Sequence, residues 1–262
     1  MISASRVCLT GLLCLSLSAQ VKDAAELQKA LDKLLVVGSV LYVAAHPDDE
    51  NTAVLATFSK GRNFRTGYLA MTRGGGGQDL IGPELDDALA AIRTQELLAA
   101  RGIDGAEQFF TRAVDFGYSK TPEETLSVWG REAVLADVVW AIRSFRPDVI
   151  LTRFSPGGEG THGHHTASAM LAVEAFHAAA DPKRFPEQLR LAQPWQATRI
   201  LWNSWRSQAE RDAMAPGSFH GLDVGQFDPL LGLSYLELAA ASRSQHRSQG
   251  FGAAERRGSL KN

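Results

Sequence analysis

Residues 36–46 read Val-Val-Gly-Ser-Val-Leu-Tyr-Val-Ala-Ala-His, a continuous β-branched and aliphatic run that ends in a histidine. A strand of this composition is typical of a parallel sheet that helices cover on both faces. Polar residues follow at once, as His46-Pro-Asp-Asp-Glu50. Because ligands of such sheets bind beyond the carboxyl ends of the strands, the position of this polar run predicts a functional site.

The rest of the chain alternates between strand and helix patterns. We predict further strands at 64–72, 107–116, 148–154 and 198–205, and helices at 52–58, 86–100, 121–145 and 166–180, with Gly102 ending the second helix. This alternation predicts an α/β fold with a doubly wound, Rossmann-like, mostly parallel sheet and helices on both faces.

The amino-terminal residues differ from the rest. Arg6 precedes an apolar run at 7–17, and the small residues Ser18-Ala19 follow it, which is the pattern of a secretory signal peptide. The run is well short of the roughly 20 residues of a membrane span, so we expect a secreted or periplasmic protein without a stable membrane anchor. The predicted division of the chain is a signal peptide at 1–19, one domain at 20–250 and a loose tail at 251–262.

Composition limits the partners and the metal chemistry. The 27 Lys and Arg residues against 29 Asp and Glu give a net charge of -2, so the chain has no basic field for phosphate backbones and nucleic acid is not an expected partner. Both cysteines, Cys8 and Cys14, lie in the predicted signal peptide. A metal in the exported protein must therefore be held by histidines and carboxylates. The sequence leaves the oligomeric state open.

A second polar cluster follows the predicted strand at 148–154. It reads Gly160-Thr-His-Gly-His-His165 and holds three of the seven histidines. If the two strands are neighbours, imidazoles and carboxylates converge. Two histidines and one carboxylate leave coordination positions open for water and substrate, which is typical of a catalytic metal. Zn²⁺ is favoured and Fe²⁺ also suits this donor set. With an adjacent carboxylate as general base, the clusters predict metal-dependent hydrolysis.

Ala45-His-Pro-Asp-Asp-Glu50, together with His162-x-x-His165, resembles the PIG-L or LmbE-like N-acetylglucosaminyl deacetylases. Further similarity lies at 71–74, 93–100 and 246–249, so the resemblance covers about residues 36–249. It implies that His46, Asp49 and His165 are zinc ligands. It also implies that Asp48 is the general base that activates water.

The same resemblance implies roles for two further residues. His162 would stabilise the tetrahedral oxyanion and protonate the leaving amine, and Arg73 would contact hydroxyl groups in a sugar pocket. This chain departs from the family pattern in two places. Many relatives carry Asp where this chain has His164, and relatives often place an acid in the loop that reads Gly74–Gly77 here.

The function implied is zinc-dependent removal of an acetyl group from an N-acetylated amino sugar or glycoconjugate. Two alternatives remain open at this point. One is a metal-dependent amidase that acts on another N-acylated small molecule. The other is a noncatalytic carbohydrate-binding module, against which the intact set of ligands and base counts. Glu50 is expected to have a structural role.

Overall fold

A five-stranded parallel sheet organises the chain. The computed structural model describes residues 23–158, 161–204, 206–250 and 252–254. The predicted signal peptide lies outside the described residues, and so does most of the predicted tail. The sheet strands are β1 (Ser39–Ala44), β2 (Arg65–Ala70), β3 (Glu107–Phe110), β4 (Val149–Thr152) and β5 (Arg199–Trp202).

Helices connect and cover these strands. Two very short strands, β6 (Phe227–Asp228) and β7 (Leu233–Ser234), form a separate antiparallel pair. In the described parts of the chain, no helix has the length and apolar character needed to cross a bilayer. The α-helices are α1 (Ala24–Lys33), α2 (Thr52–Ala56), which continues as a π-helical turn at Thr57–Gly61, α3 (Asp86–Asp104), α4 (Pro122–Trp129), α5 (Arg131–Phe145), α6 (Gly163–Ala178), α7 (Gln208–Asp212) and α8 (Tyr235–Arg243).

The strand order places the two polar clusters next to each other. The order is β3-β2-β1-β4-β5, so the chain builds outward from β1 to β3 and then returns to add β4 on the other side of β1. Such a reversal opens a crevice at the carboxyl ends of the two central strands. Val43 pairs with Thr152, so both strands end at the same level. The predicted doubly wound α/β fold is therefore confirmed.

Both faces of β1 are buried, which explains its unbroken apolar sequence. Leu41 and Val43 belong to the core beneath α4, α5 and α6. Val40, Tyr42 and Ala44 point to the opposite face and belong to a second core that includes residues of α2, α3 and α8. Alternate residues of a strand point to opposite faces, so a central strand between two helical layers needs apolar residues at every position.

Helix α3 ends later than the sequence indicates. The prediction that Gly102 ends this helix is wrong, because the helix runs to Asp104. Gly105 follows it with a φ of 79°, a left-handed conformation that glycine adopts without steric cost. Gly102 lies inside the last turn, where a glycine only weakens a helix.

Strand β3 and the helix predicted at 121–145 also differ from the prediction. Strand β3 ends at Phe110 rather than at 116, because side chains then bond the main chain and replace the ladder. Thr111 Oγ1 donates to Met71 O at 2.5 Å, and the amide of Gly117 donates to Asp115 Oδ1 at 2.9 Å. The helix predicted at 121–145 is two helices, separated at Gly130 by a φ of 74°.

We predict that Gly163→Ala destabilises the protein by about 1–3 kcal/mol, the usual cost of overpacking. A Cβ at this position would lie 2.3 Å from Thr121 O and 2.5 Å from Ser119 Oγ. Gly102→Ala is the matched control, since nothing lies within 4 Å of its Cβ and alanine favours a helix by up to about 1 kcal/mol. Urea unfolding measures both. Equal midpoints for the two variants would contradict the packing described.

Candidate metal and catalytic site

The crevice beyond β1 and β4 brings the two motifs together. His46 follows β1, and His162 is the residue that precedes α6, so His164 and His165 lie in the first turn of that helix. The ring centroid of His46 lies 5.5 Å from that of His162, 5.2 Å from that of His164 and 5.3 Å from that of His165. Four imidazoles therefore surround one small volume at the switch point of the sheet.

Asp49 links the two motifs. Its Oδ2 accepts from the main-chain N of His46 at 2.7 Å and lies 3.2 Å from Nδ1 of the same residue. Its Oδ1 lies 3.4 Å from His165 Nε2. Burial disfavours the ionised carboxyl, but the bonds to His165 and His46 outweigh it and hold the pKa of Asp49 far below its usual range. The three predicted ligands thus form one contact group with an ionised carboxylate at its centre.

The histidines themselves differ in their affinity for protons. Burial lowers the pKa of His46, but the bond to Asp49 and nearby carboxylates outweigh this effect and raise it overall. Burial and the neighbouring His165 and His46 lower the pKa of His162 to about 4. His162 is therefore neutral near pH 7, which is the state in which an imidazole can bind a metal or donate a hydrogen bond from one ring nitrogen.

The donor set fits a divalent transition metal. One nitrogen each from His46, His162 and His165 lies within 4.8 Å of the other two, a span that one cation can bridge. Nδ1 of His162 is buried without a hydrogen-bond partner among the described residues. Neutral imidazoles and an ionised carboxylate are ligands that Zn²⁺ and Fe²⁺ both accept. Asp49 and His162 are thus competing candidates for the third ligand beside His46 and His165.

Two residues of the site escaped the sequence prediction. His164 is fully buried, with Nδ1 3.0 Å from His46 Nε2. The carboxylate of Asp115 lies 3.7 Å from His164 Nδ1 and 3.9 Å from His46 Nε2. The sequence places His164 in the second histidine cluster without a role of its own, and Asp115 resembles an ordinary turn residue. Together with His46 they form a second group of possible metal donors, and the two groups share His46.

Asp48 adopts an unusual backbone conformation, with a φ of 95°. Its amide donates to Glu50 Oε2 at 3.0 Å, and its Oδ2 lies 3.3 Å from Arg243 Nη2. Burial and the charge of Asp49 raise the pKa of the Asp48 carboxyl, while Arg243 opposes the rise. Its side chain is 27% exposed, so a water molecule or a substrate can reach it. These are properties that a general base needs.

Glu50 lies beneath this turn, and its contacts agree with the structural role expected from the sequence. Its Oε1 lies 3.0 Å from Arg101 Nη2 and 2.7 Å from His246 Nε2. Burial disfavours ionisation, but Arg101 and His246 outweigh it and lower the pKa of Glu50 to about 2. The ionised carboxylate fixes the turn that carries Asp48 and Asp49.

Arg73 is exposed at the end of β2. Its Nη1 donates to Thr94 Oγ1 of α3 at 3.0 Å, and its guanidinium lies 4.0 Å above the ring of Phe110. In this position it rests against the helix and the edge strand rather than on the histidines. The role in substrate binding implied for Arg73 stays a prediction.

The fold and the site define a class: an α/β protein whose sheet carries an open histidine and carboxylate cluster at its switch point, with a carboxylate of raised pKa beside the donor atoms. The chain belongs to the PIG-L family, since the family model described as GlcNAc-PI de-N-acetylase matches residues 41–176. The matched segment begins within β1 and ends within α6, so it contains both motifs.

Curated relatives extend the match beyond the family segment. The chain is 28% identical over 188 residues to a mycothiol S-conjugate amidase of Streptomyces coelicolor, covering 67% of this chain and 64% of the relative. It is 32% identical over 203 residues to a 1D-myo-inositol 2-acetamido-2-deoxy-alpha-D-glucopyranoside deacetylase of Kineococcus radiotolerans, covering 68% of this chain and 55% of the relative. The chain thus spans only part of the length of these relatives.

Solved structures share the fold at low sequence identity. The N,N'-diacetylchitobiose deacetylase of Pyrococcus horikoshii is 18% identical with a TM-score of 0.59, covering 88% of this chain and 82% of that chain. The 4-carboxy-2-hydroxymuconate hydratase of Pseudomonas putida is also 18% identical, with a TM-score of 0.57, covering 81% and 80%. Because these two proteins are named for different reactions, the shared fold does not identify the reaction.

We predict that Asp49→Ala lowers zinc affinity more than about 100-fold. Loss of a residue that only contacts a ligand typically costs about 10–100-fold, so a larger loss would identify Asp49 as a ligand itself. His162→Ala is expected to keep the metal, because the prediction from the sequence assigns the third ligand to Asp49. Isothermal titration calorimetry with ZnCl₂ measures both affinities. His177→Ala is the matched control, because His177 is an exposed histidine of α6, the helix that begins directly after His162. If His162→Ala loses the metal and Asp49→Ala keeps it, the three-histidine set is the correct one.

Proposed function

We propose that this protein is a metal-dependent N-deacetylase that removes the acetyl group from an N-acetylated amino sugar or glycoconjugate. The observation that carries the proposal is the convergence of His46, Asp49 and His165 beside Asp48 at the switch point of the sheet. Membership of the PIG-L family and a deacetylase among the curated relatives support the same reaction. Zn²⁺ is the metal that we propose, with Fe²⁺ as the other candidate.

The metal's ligands would be His46, Asp49 and His165, and when bound it would act as a Lewis acid toward the amide carbonyl and make water more acidic. Asp48 takes the proton from the attacking water. The raised pKa of its carboxyl makes it a stronger base than an ordinary aspartate and allows it to hold that proton. The same carboxyl can then deliver the proton to the leaving nitrogen, which departs as a free amine while acetate forms.

His162 has a different part in this proposal. Because its pKa is lowered to about 4, it is neutral at pH 7 and donates a hydrogen bond rather than a proton. A neutral N–H directed at the developing oxyanion stabilises charge that appears only in the transition state. The protonation of the leaving amine, which the family resemblance assigns to His162, therefore suits Asp48 better.

Substrate recognition is proposed to involve Arg73. Its exposed guanidinium can give up the hydrogen bond to Thr94 and donate to hydroxyl groups of a sugar ring instead. The exchange costs little free energy, because the guanidinium is in contact with solvent before and after it. The remaining chain offers no motif that selects one sugar. The proposal therefore extends to the class of N-acetylated amino sugars and not to one compound.

A second candidate is a metal-dependent amidase that acts on another N-acylated small molecule. The mycothiol S-conjugate amidase among the relatives favours it, because that protein is similar to this chain over 188 residues and is named as an amidase rather than a deacetylase. Both candidates use the same ligands and base, and they differ only in the group attached to the amide nitrogen. A noncatalytic carbohydrate-binding module is disfavoured, because a binding protein needs no base beside the donor atoms.

We predict that the zinc-loaded protein releases acetate from N-acetylglucosamine derivatives and that Asp48→Asn lowers kcat by about 10²–10⁴-fold, the contribution typical of a general base. Acetate is measured by a coupled assay across a panel that includes N-acetylglucosamine glycosides and simple N-acyl amines. Asp87→Asn, an exposed aspartate of α3, is the matched control and keeps full activity.

Each outcome of this experiment separates the candidates. Release from glycosides alone supports the deacetylase, whereas release from the simple amides alone supports the amidase. If Asp48→Asn keeps its zinc and its full turnover, Asp48 is not the base. Zinc binding without any turnover across the panel would favour the noncatalytic module.

We also propose that the protein is exported, on the basis of residues 1–19. We predict that the full chain, expressed in a bacterium with two membranes, collects in the periplasm with Gln20 as its first residue. Intact-mass spectrometry of the periplasmic fraction measures the cleavage site. Leu12→Arg interrupts the apolar run and is expected to keep the uncleaved chain in the cytoplasm. Recovery of the wild-type chain in the cytoplasm with residues 1–19 attached would rule out export.

A further inference from the structure

The last residue of α8 and the segment that follows it contact the first motif. Residues 243–249 lie outside the region that the family model matches, yet three of their side chains contact residues 47–50. We call this group the carboxy-terminal clasp. Its members are Arg243, which contacts Asp48, His246, whose Nε2 lies 2.7 Å from Glu50 Oε1, and Gln249, whose Nε2 donates to Pro47 O at 2.6 Å.

Within the clasp, Arg243 is the residue that contacts Asp48, the proposed base. Its Nη1 donates to the main-chain O of Asp48, and its Nη2 lies 3.3 Å from Asp48 Oδ2. The same guanidinium therefore holds both the backbone and the carboxylate of one residue. A planar fork that binds two oxygens fixes orientation as well as position, which a single point charge does not.

The backbone of Asp48 gives this contact its importance. A φ of 95° is rare for a residue with a side chain and persists only where neighbouring groups enforce it. Glu50 accepts from the amide of Asp48, and Arg243 donates to its carbonyl oxygen. The strained residue is thus held at both of its peptide groups, once by the motif itself and once by the clasp.

We propose that Arg243 is a positioning residue, which holds the carboxylate of Asp48 in the place where it accepts a proton from water. This inference rests on the proposed function, in which Asp48 is the base. Arg243 acts through Asp48 and does not bind substrate. The side chain is 36% exposed, so direct binding of a substrate is the competing role that an experiment has to separate.

The kinetic test uses Arg243→Ala and Arg243→Lys in the zinc-loaded, full-length protein. We expect Arg243→Ala to lower kcat by about 10–100-fold with KM within about 2-fold, because displacement of a reacting group by about 1 Å costs up to 10² in rate. Arg243→Lys keeps the positive charge but offers donors from a single nitrogen instead of a planar fork, so its kcat is expected to lie between those of the wild type and Arg243→Ala. Added guanidinium ion is expected to recover several-fold of the kcat of Arg243→Ala.

Arg247→Ala removes an exposed arginine four residues after Arg243 and is expected to leave kcat, KM and zinc content unchanged. A rise in KM with an unchanged kcat would show that Arg243 binds substrate. An unchanged kcat and KM in Arg243→Ala would overturn the inference, and so would the loss of zinc, because the role would then be structural.

A second measurement does not depend on turnover. Asp48→Gly removes the strain of the positive φ, so its effect on Tm reports how firmly that conformation is held. In the wild type, Asp48→Gly also removes the contact between the Asp48 carboxylate and Arg243, which offsets the relief of strain. We therefore expect Asp48→Gly to raise Tm by about 2–4 °C more in the Arg243→Ala background than in the wild type, a difference that measures the coupling between the two residues. Additive shifts would overturn the inference even if no substrate is found, and absence of turnover with coupled shifts would count against the proposed function alone.

Discussion

The carboxylate of Glu50 is buried beneath the site, and an ionised group in that environment is stable only when donors and opposite charge surround it. Arg101 supplies the charge from α3 and is itself bonded to Asp104, while His246 supplies a ring nitrogen from the carboxy-terminal segment. Removal of Arg101 would leave a buried charge uncompensated, and removal of His246 would take away a hydrogen bond. Glu50 therefore connects the first motif both to Arg101 of α3 and to His246, which lies shortly after α8.

The site concentrates acids and imidazoles in a way that favours a cation. Asp48, Asp49 and Asp115 face a group of histidines of which two have a pKa of about 4. Neutral imidazoles add no positive charge to this partly buried group of carboxylates, and a divalent ion would supply it. The pKa of His46 is raised because its bond to Asp49 and the charges of nearby carboxylates outweigh burial.

Much of the fold and part of the site could be predicted from local sequence. The buried strand at 39–44 is visible because both of its faces need apolar residues, and His46 and Asp49 are visible because their motif follows that strand directly. Asp115 reaches the crevice from a turn that follows the end of β3 and is held by a side-chain hydrogen bond. The spacing of apolar residues in the sequence does not predict such a turn. The contact between Arg243 and Asp48 spans 195 positions, and only the packing of α8 against α2 and α3 creates it. Long-range contacts of this kind have no local signal.

Two consecutive carboxylates acquire opposite properties from their surroundings. The pKa of Asp49 falls because two imidazoles bond it, while the pKa of Asp48 rises because burial and the charge of Asp49 outweigh the effect of Arg243. Catalytic sites commonly divide the roles of acid, base and ligand by separating the pKa values of neighbouring groups. Here the positive φ of Asp48 accompanies this separation, since Asp48 meets Arg243 while Asp49 meets His46 and His165. The two neighbours in the sequence thus have different partners, and the strained residue is the one whose carboxyl has the raised pKa.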